Sequence, residues 1–331
     1  LKVAEMGCVG TLAEYRHRGL IRRLVNEYHK YVKDHGYDLS VIEGIPYFYR
    51  QFGYEYAIPL DEETRILLDQ IPNYESKLEI RPFTDTDIPE AMQLLKRAQR
   101  KFYVHIIRDK PIWKMQQETS TAGSAKKFEA YAIEKDDKMV AYIRIRNEPK
   151  DKSLILKEIT ETDQPTAQAI LRFLKDTGKQ RGLENLSAHI SHHETFTEHL
   201  IAIGAVQSPP YAWQIRVTDY IKMFKKMKPL FEKRLAASTY RHLTEKLNFN
   251  FRRYTVQMTV EDGKITDVQR LETSEDRTIG LNPLVFAQLL LGHRSREELE
   301  MIYPDFGIRL SHKYLIDVLF PKLPSYIHAV Y

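Results

Sequence analysis

The feature that most constrains this chain is a run near its start, where an apolar stretch meets a tight basic turn, Glu14-Tyr15-Arg16-His17-Arg18-Gly19-Leu20-Ile21. Residues 2–11, Met6–Thr11 above all, read as a strand whose small side chains let an extended ligand lie alongside. After the turn, Leu20, Ile21, Leu24, Val25, Tyr28 and Val32 recur on one helical face, and His35-Gly36 reads as the stop. Leu39–Ile42 reads as a short buried strand. This βαβ order predicts parallel strands joined by a right-handed crossover. Gly19 lets the backbone approach a ligand closely, and the first helical turn presents unpaired N–H groups at the positive end of the helix dipole. Arg16 and Arg18 add charge beside those amides. Together these parts predict a phosphate cradle.

The cradle lacks the Lys-Ser/Thr of a Walker loop and the glycine triplet of a dinucleotide fingerprint. Arg16-x-x-Gly19-x-Ile21 instead resembles the acetyl-CoA loop of the GNAT superfamily of N-acetyltransferases, with Ile21 bulkier than the small residue of that pattern. The segment Phe48-Tyr49-Arg50-Gln51-Phe52-Gly53-Tyr54 is similar to the second signature of that superfamily, an aromatic pair shortly before a Gly-aromatic.

Length and composition bound the rest. At 331 residues the chain predicts two or three domains. A net charge of +5, with acidic and basic residues interleaved, argues against a dedicated nucleic-acid binder. One cysteine leaves no intrachain disulfide and no cysteine-based zinc site, and fits a reducing cytoplasm. No window reads as a membrane span. The reading is a mixed α/β and α+β chain. The GNAT resemblance implies that residues 1–60 are the C-terminal part of a catalytic GNAT domain, with the chain starting almost at the loop, so that an upstream β-α-α-β-β segment is expected in a longer frame. Residues 61–77 read as a linker with a short alternating strand, 64–68.

Residues 78–216 show strands at 78–83, 128–134, 139–146, 154–160 and Asn185–Ile190, and helices at 91–99, 166–180 and 195–203, an order that repeats the GNAT plan. Where the first copy has Arg16-x-x-Gly19, this one has Glu161-Thr162-Asp163-Gln164-Pro165-Thr166. Two carboxylates and no glycine argue that it binds no CoA. Residues 217–331 carry a helix at 219–235, a hairpin across Glu261-Asp262-Gly263-Lys264, and helices at 282–291 and 295–303. This segment resembles the sterol-carrier-protein-like domain that closes the enhanced intracellular survival (Eis) acetyltransferases, and the three-part order is similar to that family throughout.

The resemblance implies direct acetyl transfer from acetyl-CoA, as co-substrate, to a primary amine on a small molecule or peptide: an aminoglycoside, a polyamine or a lysine-type acceptor. Val9 and Thr11 would supply backbone to the pantetheine arm, and Arg16, His17, Arg18, Gly19, Leu20 and Ile21 would hold the pyrophosphate. Tyr49 stands at the general-acid position common to GNAT enzymes and Tyr54 at the one credited in Eis proteins. Tyr54 is favoured, since a phenol of pKa about 10 can protonate a departing thiolate. Tyr331 would bring the terminal carboxylate to the site. Eis habit implies a homo-oligomer, a hexamer in particular. The alternative is a catalytically silent module binding CoA or an apolar ligand. Cys8 reads as a buried strand thiol rather than a nucleophile. His189, His192 and His193 read as surface or capping histidines with no metal, and Phe286, Leu289, Leu290 and Leu291 as helix core rather than a lipid tunnel.

Overall fold

The computed structural model describes residues 1–60, 62–118, 128–272, 278–280 and 282–328. The chain forms two compact units, one of residues 1–58 and 212–323, the other of residues 59–211 and 324–331. In the first unit, strand β1 (Val3–Glu5), helix α1 (Leu20–Asp34) and strand β2 (Leu39–Ile42) make the expected βαβ turn. The strands are parallel, with Val3 opposite Leu39 and Glu5 opposite Val41. The Met6 N–H donates to the Val41 carbonyl at 3.1 Å, and Cys8 then turns the backbone at φ 53. The stretch 6–11, expected as strand, is therefore loop, because the left-handed residue breaks the pleat. Cys8 is exposed, not a buried strand thiol, for the same reason. Strand β3 (Glu55–Pro59) closes this first pass.

The second unit opens with β4 (Glu62–Leu67), which lies within the stretch expected as a linker and pairs antiparallel with β9 (Asn185–Ile190). Between them come β5 (Glu79–Pro82), α2 (Ile88–Ala98), α3 (Lys110–Glu118), β6 (Phe128–Lys135), β7 (Lys138–Arg146), β8 (Ser153–Ile159) and α4 (Gln164–Gln180). Then α5 (Thr195–Ala202) and β10 (Val206–Gln207) follow β9. The seven-stranded sheet has the order β10-β4-β9-β8-β7-β6-β5, with β8 and β9 parallel. Its core joins Ile143, Ile145, Leu154, Leu156, Leu186 and Ala188 of the strands to Ile170, Leu171 and Leu174 of α4. The expected order of strands and helices is present in this unit, with α3 as an element the sequence reading lacked.

At Ala212 the chain re-enters the first unit. Strand β11 (Ala212–Val217) runs antiparallel to β2, giving the four-stranded order β1-β2-β11-β3. Helix α6 (Tyr220–Ala236) leads to β12 (Glu245–Asn250), β13 (Thr255–Glu261) and β14 (Lys264–Leu271). The sheet β14-β13-β12-β15-β16 is completed by β15 (Ile279–Gly280) and β16 (Gly307–Ile308). Helices α7 (Pro283–Leu290), α8 (Arg296–Ile302) and α9 (Lys313–Leu319) accompany it. Phe286 is fully buried, its ring centroid 5.2 Å from Phe251 and 5.3 Å from Phe320. Leu289, Leu290 and Leu291 are buried as well. Among the described residues no helix is long and apolar enough to cross a membrane.

Candidate active site

The mouth of α1 is built from its own first residues. Gly19 is the N-cap, at φ 71 and ψ 12, and no side chain caps the helix. A Cβ at Gly19 would meet nothing within 4 Å, so the backbone there faces open space. The left-handed backbone suits glycine alone among common residues at low cost. Arg16 Nε donates to the Thr11 carbonyl (3.3 Å) and Arg18 Nη2 to the Glu14 carbonyl (3.1 Å). Arg18 also lies over the Tyr15 ring, 5.2 Å from its centroid. Neither arginine has a carboxylate partner among the described residues, so both charges remain available to an anion. His17, at φ 61, is also in the left-handed region. Residues 16–20 are exposed, while Val9, Thr11 and Ile21 are half-buried, and Val9 and Ile21 pack on the cluster of Met6, Val25, Ile42, Tyr49 and Tyr54.

The second unit shows the contrast. At the corresponding place α4 is capped by Asp163, whose carboxylate accepts the Thr166 N–H at 2.9 Å. That carboxylate occupies one of the first-turn amides that in α1 are left uncapped, and its negative charge repels a diphosphate.

The two tyrosines come together but differ in state. Tyr49 sits on a single helical turn, Phe48–Phe52, tied to β3 by Arg50 Nη2 on Glu55 Oε1 (2.9 Å) and to α1 by Arg22 Nη2 on Gln51 Oε1 (2.8 Å). Its ring packs so closely on Gly44 that a Cβ there would lie 2.4 Å from it. Burial raises the Tyr49 phenol above its ordinary pKa, and its hydroxyl has no hydrogen-bond partner among the described residues. Tyr54, 6.1 Å away between ring centroids, is wholly buried. Its hydroxyl shares a 2.7 Å hydrogen bond with Ser40 Oγ and a 3.2 Å one with His29 Nε2, and Ser40 Oγ also donates to Tyr28 at 3.1 Å. Burial pushes the Tyr54 phenol up to about 12 and holds His29 down at about 4. Tyr54 is thus locked in an internal network, whereas Tyr49 keeps a hydroxyl that nothing among the described residues claims.

Two residues of this site escaped the sequence reading. Gln214 and Arg216 on β11 stand opposite Ile42 and Ser40 and share their face of the sheet. Gln214 Nε2 donates to the Gly44 carbonyl at 3.1 Å, fixing the end of β2 beneath Tyr49. Arg216 is half-buried, and burial lowers its pKa, with Tyr54 and two further tyrosines, Tyr220 and Tyr254, acting against that. Tyr331 lies outside the described residues. In the second unit His192 Nδ1 pairs with the buried Glu62 carboxylate, and no group of three or more metal-ligating side chains exists among the described residues.

Comparison with known proteins places this geometry. Residues 1–57 match the model of an acetyltransferase (GNAT) domain. A GCN5-related N-acetyltransferase from Anabaena variabilis is similar over 98% of this chain and 81% of its own, at 17% identity and a TM-score of 0.72. A conserved protein of unknown function from Enterococcus faecalis, a probable N-acyltransferase, aligns over 99% of this chain and 81% of its own, at 14% identity and a TM-score of 0.74. Eis1 from Mycobacterium abscessus aligns over 99% and 82%, at 15% identity and a TM-score of 0.62. No curated protein sequence matches. At these identities the structural likeness is one of fold. Residues 1–57 therefore carry a GNAT acetyltransferase domain, set in a mixed α/β chain whose fold is shared with N-acetyltransferases of known structure.

Proposed function

We propose that the chain is an acetyl-CoA-dependent N-acetyltransferase that moves the acetyl group directly to a primary amine. The observation that carries this reading is the open mouth of α1: an exposed glycine N-cap, no capping side chain, and two arginines without carboxylate partners among the described residues. Acetyl-CoA would bring the activated thioester. Arg16, Arg18 and the amides of residues 19–21 would bind its diphosphate, and the loop at Val9 and Thr11, where β1 and β2 part, would take the extended arm. Tyr49 would give a proton to the departing sulfur, because its hydroxyl is unclaimed. Tyr54, held by Ser40 and His29, would keep the turn in register behind it.

Aminoglycosides, polyamines and lysine side chains are the acceptor classes proposed, on the likeness to Eis1, and homo-oligomeric assembly and a sterol-carrier-like origin for residues 217–331 rest on the same likeness. The aromatic filling around Phe286 supports a structural rather than a lipid-carrying role for that segment. Calorimetric titration with acetyl-CoA, followed by release of free thiol across an amine panel, tests binding and turnover separately. Binding without turnover on any amine would instead support a silent CoA-binding module, and no binding would overturn both.

A further inference from the structure

Three strand ends of the second unit converge on one open cavity. Glu62 begins β4, with Ile190 of β9 opposite it on one side; on the other side β10 pairs with β4, Gln207 opposite Thr64. The Ser208 N–H donates to the Glu63 carbonyl at 2.8 Å. Pro209 and Pro210 then end the pairing, because neither has an N–H to give. Strand β9 ends at Ile190, and the chain turns at His192 and His193. Between these exits lies a cavity of about 370 Å³, lined by Glu62, His192, Gln207, Ser208, Pro209 and Pro210.

The polar part of this lining is built around a buried carboxylate. Glu62 is 3% exposed, and both of its oxygens are engaged by His192. Oε2 accepts the His192 backbone N–H at 2.8 Å, and Nδ1 lies 2.6 and 2.5 Å from the two oxygens. Nδ1 is therefore committed to Glu62, and the Nε2 edge has no partner among the described residues. His193 lies against the ring, with centroids 3.8 Å apart. The hydrogen bond to Glu62 raises the pKa of His192, against the opposing effect of burial. The pair thus carries charges that cancel, and among the described lining residues no charge is left over. The Gln207 carboxamide and the Ser208 hydroxyl, both on exposed residues, also have no partner among the described residues.

The cavity therefore offers an imidazole N–H, a hydroxyl and a carboxamide beside two apolar rings. A carboxylate placed here would add an unanswered negative charge beside Glu62, and an ammonium a positive one beside the imidazolium. An uncharged group with an acceptor and a donor side by side meets neither cost. We propose that this cavity binds a small uncharged carboxamide. Its carbonyl oxygen accepts from His192 Nε2, its N–H groups donate to Gln207 Oε1 or Ser208 Oγ, and its apolar body rests on Pro209 and Pro210. The site lies within the second unit and is independent of the acetyl-transfer reading.

Benzamide, benzoate and benzylamine share one ring and differ in the head group, so together they test the charge argument. The full chain with isotope-labelled histidine is titrated with each, following the His192 ring resonances, which are identified by their loss in His192→Asn. Benzamide should move them saturably, with a dissociation constant on the order of 1 mM as suits a ligand of its size. It should bind at least about tenfold more tightly than benzoate or benzylamine. A double variant, Gln207→Leu with Ser208→Ala, alters only exposed side chains; it should fold and bind benzamide at least about fivefold more weakly. No saturable movement with benzamide, benzoate or benzylamine binding as tightly, or unchanged benzamide affinity in the double variant would overturn the proposal. If the double variant fails to fold, the head-group comparison on the parent still decides it.

Discussion

Replacing Gly19 with valine separates ligand binding from folding. The position is left-handed, at φ 71, and a β-branched residue there costs about 1–2 kcal/mol or relaxes toward negative φ. Among the described residues nothing lies within 4 Å of the new Cβ, so no clash adds to that strain and the fold should tolerate it. If the loop relaxes, the amides of Leu20 and Ile21 tilt away; if it does not, the branched side chain stands where the diphosphate must approach. Either way at least the strain energy is taken from binding, and about 1.4 kcal/mol is tenfold in affinity. Acetyl-CoA affinity measured by calorimetry should therefore fall at least about fivefold, while the unfolding midpoint moves by a few degrees. An unchanged dissociation constant in a folded Gly19→Val protein would refute the assignment of α1 as the diphosphate site.

The tyrosines should divide by role. Tyr49→Phe should leave acetyl-CoA affinity intact and lower kcat by about 10²-fold or more, whereas Tyr54→Phe should chiefly lower stability by removing a buried hydrogen-bond partner of Ser40 and His29, about 1–3 kcal/mol; the reverse pattern would return the acid role to Tyr54. Gly44→Ala places a methyl 2.4 Å from the Tyr49 ring, so it should cost about 1–3 kcal/mol by overpacking and reduce turnover more than affinity, as steady-state kinetics beside calorimetry will show. The histidines predict acid sensitivity. Burial holds His29 and His328 down at about 4, below the ordinary 6.5. Their unfolded forms therefore take up protons first, and stability present above about pH 6.5 is lost as pH falls toward 4. Denaturation midpoints across that window should fall less steeply in His328→Leu, and an identical slope would contradict the burial argument.

Sequence alone determined the local parts of this protein. The helical period after Gly19, the glycine N-cap and the flanking arginines are short-range signals, and they appear as read, in α1 and its open mouth. The carboxylate at the start of α4 was likewise legible, because a cap bonds within three residues of itself. What only the tertiary structure decided is what arrives from far along the chain. Gln214 and Arg216 join the site because β11 pairs with β2 across more than 170 residues, and no local pattern encodes a partner that distant. The arginines of β7 look in sequence like a solvated strand face. Arg144 is buried because Glu158 lies opposite in register and Arg108 and Trp113 come from other parts of the chain. Periodicity reports which residues share a face, but what covers that face, and how its charge is balanced, is set by packing between distant segments.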